Sequence, residues 1–221
     1  GTEEAQVESS LWLWGAGGDW PQGDKLVANQ PAAVEAFAEM KKIIDAKATQ
    51  PDPGATNRQA VADLFDNGKL GMYVTHSGLM ATTREKFPNI KYELSPIPSK
   101  DGSPVAFGVT DFILAFNNND ANRKAATKEF LDLLYSDAMY DGWYKGTGLL
   151  PVTTSAIAKA KTTDTNNAKF YEALSFVKFN PVSNPQWDAL KNALQGTAGT
   201  IASETPEKVL SDIQAQVDAQ G

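Results

Sequence analysis

Apolar positions along most of this 221-residue chain recur with the period of an amphipathic α-helix. The segment 31–46 shows the pattern clearly, because Pro31 opens it and the apolar residues that follow share one face. A second helix at 57–67 follows Thr56, which forms a capping box with Gln59. Further helices are predicted at 77–86, 137–145, 154–161 and 165–178, and after Asp120, Pro185 and Pro206. The side chains predicted to face a core are Val34, Phe37, Met40, Ile44, Phe130, Leu131, Leu134, Phe170, Leu174, Val177, Trp187, Leu190, Leu194, Ile201, Leu210, Ile213 and Val217.

Three segments carry strand patterns. In KLGMYVTH, Leu70, Met72 and Val74 alternate with other residues as in a half-buried strand. KYELSPIP predicts a short strand that its prolines end. The mostly apolar run VAFGVTDFILAF, residues 105–116, predicts a longer strand buried on both faces. Because helices dominate and strands are interspersed among them, the predicted fold class is α/β.

Tryptophan and glycine are concentrated in SLWLWGAGGDW, residues 10–20. Glycine loses more backbone freedom on ordering than any other residue, so large rings beside glycines need a reason. Core packing is the favoured interpretation for Trp12 and Trp14, and display of the rings to a flat ligand is the alternative. Trp187, in the first turn of a predicted helix, has the same two interpretations.

Charge and composition exclude several classes of partner. The formal net charge is −7 and lysines and arginines form no cluster, which argues against nucleic acids and anionic membrane surfaces. The chain contains no cysteine, so disulfides, thiol chemistry and cysteine zinc sites are excluded. No apolar run is long enough to span a membrane. The start GTEEAQVESS has no signal-peptide features, so an exported protein would be represented here by a mature or trimmed chain.

The search for catalytic chemistry is mostly negative. The single histidine, His76, rules out multi-histidine metal sites, and neither G-x-S-x-G nor G-x-x-x-x-G-K-[ST] occurs. Gly15-Ala16-Gly17 begins like a dinucleotide fingerprint, but Trp20 stands where that motif needs glycine. Catalytic carboxylate pairs stay open, since their spacing is spatial. The sequence therefore predicts a protein that is not an enzyme and has no cofactor or metal.

Thr75, His76 and Ser77 lie where a predicted strand meets a predicted helix. Such junctions line ligand crevices in α/β folds, and free backbone N–H groups there bind oxygen atoms. These residues are therefore candidates for binding a polar ligand. The alternative is a helix cap beside a surface histidine.

The order of these motifs resembles the carbohydrate-type extracellular solute-binding proteins of bacterial ABC importers, the maltose-binding-protein-like group. The segments that carry the resemblance are LWLWGAGGDW, NQPAAVEAFAEMKKIID, AVADLFDNGKLGMYVTHSGLMA, YELSPIPSKDGSPVAFGVTDFILAFNNND, KEFLDLLYSDAMYDGWYKGTGLLPVTTSA and TPEKVLSDIQAQVDAQ. The resemblance implies a type II periplasmic-binding-protein-like fold, helix-rich around a small mixed sheet. We expect mostly the C-terminal lobe, as residues 1–103 and 163–221, with 104–162 returning from the N-terminal lobe.

The same resemblance implies a binding site, partners and a location. The expected ligand is a sugar or oligosaccharide, delivered outside the cytoplasmic membrane to ABC permease subunits by a cell-surface lipoprotein or periplasmic protein. Family members often carry a tryptophan near the position of Gly78, and none is present here. The segment 104–116 is expected to be a strand without its partner strands, and the chain is expected to dimerise through this segment. Alternatives are a carbohydrate-active enzyme or accessory domain, or a binding protein for a phosphodiester or polyamine. The implied ligand-binding residues are Gln6, Glu8, Thr75, His76, Ser77, Gly78, Thr110, Asp111, Thr147, Gly148 and Trp187.

Overall fold

The computed structural model describes residues 3–220. Helices dominate it, and in chain order they are α1 (Ala5–Gly15), α2 (Pro31–Asp45), α3 (Arg58–Asp66), α4 (Ser77–Lys86), α5 (Ala121–Leu134), α6 (Asp137–Thr147), α7 (Thr154–Thr163), α8 (Ala168–Ala173), α9 (Trp187–Thr197) and α10 (Pro206–Asp218). The strands are β1 (Pro21–Gln22), β2 (Lys25–Leu26), β3 (Ala106–Phe107) and β4 (Val177–Lys178), and 3₁₀ turns span Thr165–Asn167 and Ala198–Ala202. β1 pairs with β2 in antiparallel fashion, and β3 pairs with β4 in parallel.

The chain divides into two compact units. The first unit comprises Gly1–Val74, Tyr92–Gly108 and Phe176–Gly221. The second unit comprises Thr75–Lys91 and Val109–Ser175. The predicted assignment of 1–103, 104–162 and 163–221 to two lobes stays a prediction.

The core of the first unit is built by α1, α2, α9 and α10. Phe37 of α2, Leu190 and Leu194 of α9 and Leu210 of α10 are fully buried in one cluster. α10 begins as predicted, because the Thr205 side chain accepts a hydrogen bond from the Lys208 amide and Pro206 opens the helix. Burial of these side chains stabilises the unit by about 1.5–3 kcal/mol each.

The tryptophan–glycine segment belongs to this unit. Trp14 is buried and Trp12 packs against the core, so core packing is confirmed for both rings. Trp14 also stacks on Phe107 of β3, with ring centroids 5.6 Å apart. Gly18 lets the backbone pass close to the Leu13 side chain, since a Cβ at position 18 would lie 2.4 Å from Leu13 Cδ1. The glycines and the rings therefore serve the same close packing.

A buried polar network crosses this core. Ser10 Oγ accepts a hydrogen bond from Trp20 Nε1 at 2.8 Å. The same hydroxyl lies 2.7 Å from both the Gln6 carbonyl oxygen and Asn180 Oδ1, and its single proton is donated to one of them. Ser10 and Trp20 are fully buried, so the network satisfies polar groups that water does not reach.

The second unit is built around α6 and α7. Tyr140 and Tyr144 of α6 form a small cluster with Ala156 of α7. The Tyr140 hydroxyl accepts a hydrogen bond from the Val152 amide at 2.8 Å. Trp143 lies 5.7 Å from Tyr140, measured between ring centroids, and half of it remains exposed.

All three predicted strands are corrected by the structure. Residues 70–74 form no ladder, and Met72 is 89% exposed. The segment KYELSPIP contributes only an isolated bridge between Ile97 and Val105. Of 105–116, only Ala106–Phe107 is a strand, and the expected burial is wrong because no described residue covers the apolar side chains after it. Those exposed side chains are Val109, Phe112, Ile113, Leu114 and Phe116.

Several helix details also differ from the predictions. The N-cap of α3 is Asn57, whose side chain accepts from the Ala60 amide, instead of Thr56. α5 forms as predicted but has no buried residue, so the predicted burial of its apolar face is wrong. The helix predicted at 165–178 ends at Ala173, because Val177–Lys178 pairs with β3 instead. In that region Tyr171 is buried, while Leu174 is exposed.

Candidate functional site

The start of α1 carries a polar group. Glu4 is the N-cap residue and Glu8 lies in the first turn, so the two carboxylates are one helical turn apart on the same side. Between them in sequence, Gln6 is buried, and its Nε2 donates to Glu4 Oε2 at 3.2 Å. The partial positive charge of the helix N-terminus is therefore met by these two glutamates.

Arg58 completes this group from another helix. The cap formed by Asn57 makes Arg58 the first residue of α3. Its Nη2 lies 3.5 Å from Glu8 Oε1 and 3.9 Å from Glu4 Oε2. We call Glu4, Gln6, Glu8 and Arg58 the α1 polar group. It brings together residues fifty positions apart in the sequence.

Burial raises the pKa of Glu8 above its ordinary value, and the nearby Arg58 guanidinium opposes that rise without cancelling it. Glu8 and Arg58 remain partly exposed, with 36% and 25% of their side chains accessible. The carboxylate is therefore reachable and partly desolvated. Such a carboxylate can accept a hydrogen bond from a neutral hydroxyl that reaches it.

Two loops meet in the second unit. α4 begins at Ser77 with His76 as its N-cap, and α6 ends at Thr147 with Gly148 as its C-cap, whose left-handed backbone has φ 68°. A Cβ built on Gly148 would lie 3.7 Å from Gly78 Cα. The structure thus brings Ser77–Gly78 and Thr147–Gly148 together, although about seventy residues separate them in sequence.

Side chains of these loops are already engaged. The Thr147 hydroxyl donates to the Tyr144 carbonyl oxygen at 2.7 Å. The His76 ring covers the position from which a side chain on Gly78 would project, since a Cβ there would lie 3.2 Å from His76 Cε1. A ligand at these loops would meet backbone groups and the imidazole.

The other predicted binding residues have different surroundings. Thr110 and Asp111 are exposed in the extended stretch after β3. Trp187 is 7% exposed and packs in the core of the first unit. Of the two interpretations of Trp187, the structure therefore shows core packing, and a role of its ring in ligand binding stays a prediction.

Arg58 and Glu4 belong to the α1 polar group, and the sequence did not single them out. An arginine after a capping asparagine carries no local signal of pairing with a glutamate fifty residues earlier. Within residues 3–220, no group of three or more histidine, cysteine, aspartate or glutamate side chains is arranged to hold a metal ion. Among the same residues, no helix is long and apolar enough to cross a membrane.

Comparison with solved structures shows which class of proteins shares this fold. A solute-binding protein from Thermotoga lettingae TMO bound to α-D-tagatose matches with a TM-score of 0.77 and 16% identity, over 97% of this chain and 56% of that one. The maltose/maltodextrin-binding domain MalE from Bdellovibrio bacteriovorus, bound to maltotriose, matches with a TM-score of 0.77 and 17% identity, over 99% of this chain and 58% of that one. The fold is that of the periplasmic-binding-protein-like solute-binding proteins, which confirms the predicted fold class.

The family follows from the sequence itself. Residues 4–170 match the profile of the bacterial extracellular solute-binding protein family, and the chain belongs to this family. A relative from Brucella abortus (strain 2308), named as a binding protein, is 30% identical over 99% of this chain and 55% of its own length. The chain therefore spans about half the length of the curated relatives it matches. The family binds solutes outside the cytoplasm, which confirms at family level the prediction of a non-enzymatic, extracytoplasmic protein.

Proposed function

We propose that the protein captures a sugar or oligosaccharide outside the cytoplasmic membrane and delivers it to the permease subunits of an ABC importer. The observation that carries the proposal is the match of residues 4–170 to the extracellular solute-binding family. Structures of the same fold were solved with α-D-tagatose, maltotriose and laminaribiose. Their low identity to this chain supports the fold alone, so the sugar class is our inference.

The proposed mechanism is capture without chemical change. In the first unit, the Gln6 amide oxygen and the Glu8 carboxylate would accept hydrogen bonds from sugar hydroxyls. In the second unit, polar groups of the loops Thr75–Gly78 and Thr147–Gly148 would form hydrogen bonds with a sugar. Thr110 and Asp111 are exposed and would add polar contacts. The proposal depends least on Trp187, because its ring is packed in a core. Closure of a binding protein on its ligand would then mark the loaded state for the permease.

The test is a binding screen of the whole protein. We expect a rise in melting temperature with at least one of maltose, maltotriose, laminaribiose or tagatose, followed by calorimetric confirmation. The isolated 221-residue chain should bind the same sugar weakly or undetectably, because it spans about half the length of its relatives. Binding of spermidine or a phosphodiester without any sugar would contradict the proposal. So would turnover of an aryl glycoside.

Anchoring and association are finer parts of the proposal. We place the protein on the cell surface as a lipoprotein or in the periplasm. We also expect 104–116 to associate with a second copy, because its apolar side chains from Val109 onward are exposed. Backbone groups of an uncovered extended segment are available for strand pairing.

A further inference from the structure

The end of α3 brings an asparagine and a glycine together. Asn67 is the C-cap residue of this helix, and Gly68, which follows it, has a left-handed backbone with φ 70°. This is the one Asn-Gly pair in the sequence, and both of its residues are exposed. Such a pair is reactive, because glycine has no Cβ to keep its backbone nitrogen away from the asparagine side chain. An exposed Asn-Gly pair is therefore a candidate for chemical modification.

The reaction open to this pair needs only water. The Gly68 nitrogen attacks Cγ of Asn67, so that a C–N bond forms between them and the side-chain nitrogen leaves as ammonia with the former amide proton of Gly68. The product is a succinimide ring. Water then opens the ring, which gives aspartate when it adds at Cγ and isoaspartate when it adds at the backbone carbonyl carbon. The net change consumes one water and releases one ammonia, without any oxidant or reductant.

The folded helix end holds the two reacting groups apart. Asn67 Nδ2 donates to the Asp63 carbonyl oxygen at 2.7 Å, which directs the side chain back along the helix. The Gly68 amide donates to the Phe65 carbonyl oxygen at 2.8 Å, so the attacking nitrogen is engaged as well. Cyclisation breaks both hydrogen bonds. The rate at Asn67 therefore depends on how often this end of α3 opens.

α3 is attached weakly enough to open more often than the core. It is nine residues long, which is below the length at which a helix is stable in water without tertiary contacts. Only Ala62 and Asp66 of this helix are buried, whereas α10 buries four apolar side chains. Phe65 contacts Tyr73, with ring centroids 4.8 Å apart, but Tyr73 belongs to a segment that forms no ladder. Segments with few buried contacts open at a smaller free-energy difference than the core does.

Two aspartate–glycine pairs, at 101–102 and 141–142, provide an internal comparison. They would form the same ring, but water has to leave instead of ammonia, and this requires a protonated carboxyl group. A hydrogen bond from the Ser103 amide holds the pKa of Asp101 below its ordinary value. The Lys145 ammonium does the same for the pKa of Asp141. Both carboxyl groups are therefore ionised at neutral pH, whereas Asn67 reacts as the neutral amide that it already is.

We propose that Asn67 is a site of spontaneous deamidation controlled by the opening of α3, and that the product weakens the same helix end. The inference does not depend on the proposed function. Aspartate has no donor for the Asp63 carbonyl oxygen, and it places a negative charge at the helix C-terminus, where the backbone carbonyls are already negative. α3 begins at Arg58, so a helix that opens more often holds Arg58 near Glu8 for less of the time.

The first experiment follows the whole protein during incubation at neutral pH. Peptide mass spectrometry locates the change from amide to acid, and electron-transfer fragmentation distinguishes aspartate from isoaspartate. We expect product at Asn67 before any isoaspartate at Asp101 or Asp141, and a higher rate at Asn67 when the protein is unfolded in urea. An equal rate in folded and unfolded protein would contradict control by α3. A product without isoaspartate would show that the ring does not form, and no product from the folded protein would overturn the site.

The second experiment changes the stability of α3 at its other end. Asn57→Ala removes the acceptor for the Ala60 amide, 2.9 Å away, and leaves Asn67 untouched. Loss of an N-cap makes a helix open about fivefold more often, so deamidation should become about fivefold faster. Thr205→Ala is the matched control, because it removes the corresponding cap of α10. An unchanged rate in Asn57→Ala, or equal acceleration in both variants, would show that opening of α3 does not control the reaction.

The third experiment examines the effect of the product. Asn67→Asp reproduces the aspartate product, and its α3 amides should exchange with deuterium faster than those of the natural protein, while the α10 amides keep their protection. Asn67→Gln is the control for the chemistry, because its longer side chain forms the corresponding ring far more slowly and should yield no acid product in the same time. Unchanged exchange in α3 of Asn67→Asp would refute the weakening of the helix end, and equal deamidation of Asn67→Gln would refute the cyclisation.

Discussion

Replacing Ser10 with alanine tests the buried polar network of the first unit most directly. The Ser10 hydroxyl is fully buried, accepts from Trp20 Nε1 at 2.8 Å and lies 2.7 Å from Asn180 Oδ1. Ser10→Ala therefore leaves the indole N–H without its acceptor in a site that water does not reach. A buried polar group that loses its partner destabilises a protein by about 1–3 kcal/mol.

The assay is equilibrium denaturation, followed by tryptophan fluorescence and circular dichroism. At this chain length a loss of 1 kcal/mol lowers the melting temperature by about 2–4 °C, so Ser10→Ala should melt roughly 2–12 °C lower. Ser9→Ala is the matched control, because Ser9 is the neighbouring residue, is also buried and takes no part in the network. We expect a clearly smaller effect there.

A double-mutant cycle completes this test. Trp20→Phe removes the donor, so Ser10→Ala should lower the free energy of unfolding less in that background than in the natural chain. The expected coupling energy between the two substitutions is about 0.5–3 kcal/mol. Equal melting temperatures for Ser9→Ala and Ser10→Ala, or full additivity in the cycle, would refute the assignment of the Trp20–Ser10 bond as stabilising.

The remaining predictions concern a backbone contact, a titration and an exposed segment. Gly199→Ala should destabilise the chain by about 1–3 kcal/mol in denaturant melts, because the new Cβ would lie 2.6 Å from the Gly54 carbonyl oxygen. Gly196→Ala is the control, because a Cβ at that position of α9 meets open space, and this variant should be neutral or stabilising. Glu8→Gln should melt higher than the natural chain at pH 7. The folded-state pKa of Glu8 lies above its ordinary 4.5, so the natural chain loses folding stability as pH rises from about 4.5. The difference in melting temperature between Glu8→Gln and the natural chain should therefore vanish below that pH. A difference that stays constant with pH would contradict this prediction. The 221-residue chain should self-associate with concentration in light scattering, and Phe112→Asp, at a side chain that is 78% exposed, should reduce this; a monomer at all concentrations would oppose it.

Local signals predicted the helices well. Pro31, Thr205 and Pro206 mark helix starts through capping and a fixed φ, and these effects act within one turn. The apolar periodicity that follows them also identified buried faces, as Leu210 and Ile213 show. The order of motifs was enough to indicate the family, because a family profile is itself a pattern of residues along the chain.

Strands and exposure could not be predicted in the same way. The run 105–116 has strand composition, but a strand exists only where another segment supplies the hydrogen bonds, and here β4 does so only for Ala106–Phe107. The same holds for α5, whose apolar face is present in the sequence and unburied in the structure.

The sequence by itself determined the helical framework and the family of this protein, because both follow from local chemistry and motif order. Only the tertiary structure decided that Arg58 faces Glu8, that Gly78 meets Gly148 and that Trp187 packs in a core. Each of these depends on which distant segments the packing brings together. That information lies in the sum of many weak contacts and in no single motif.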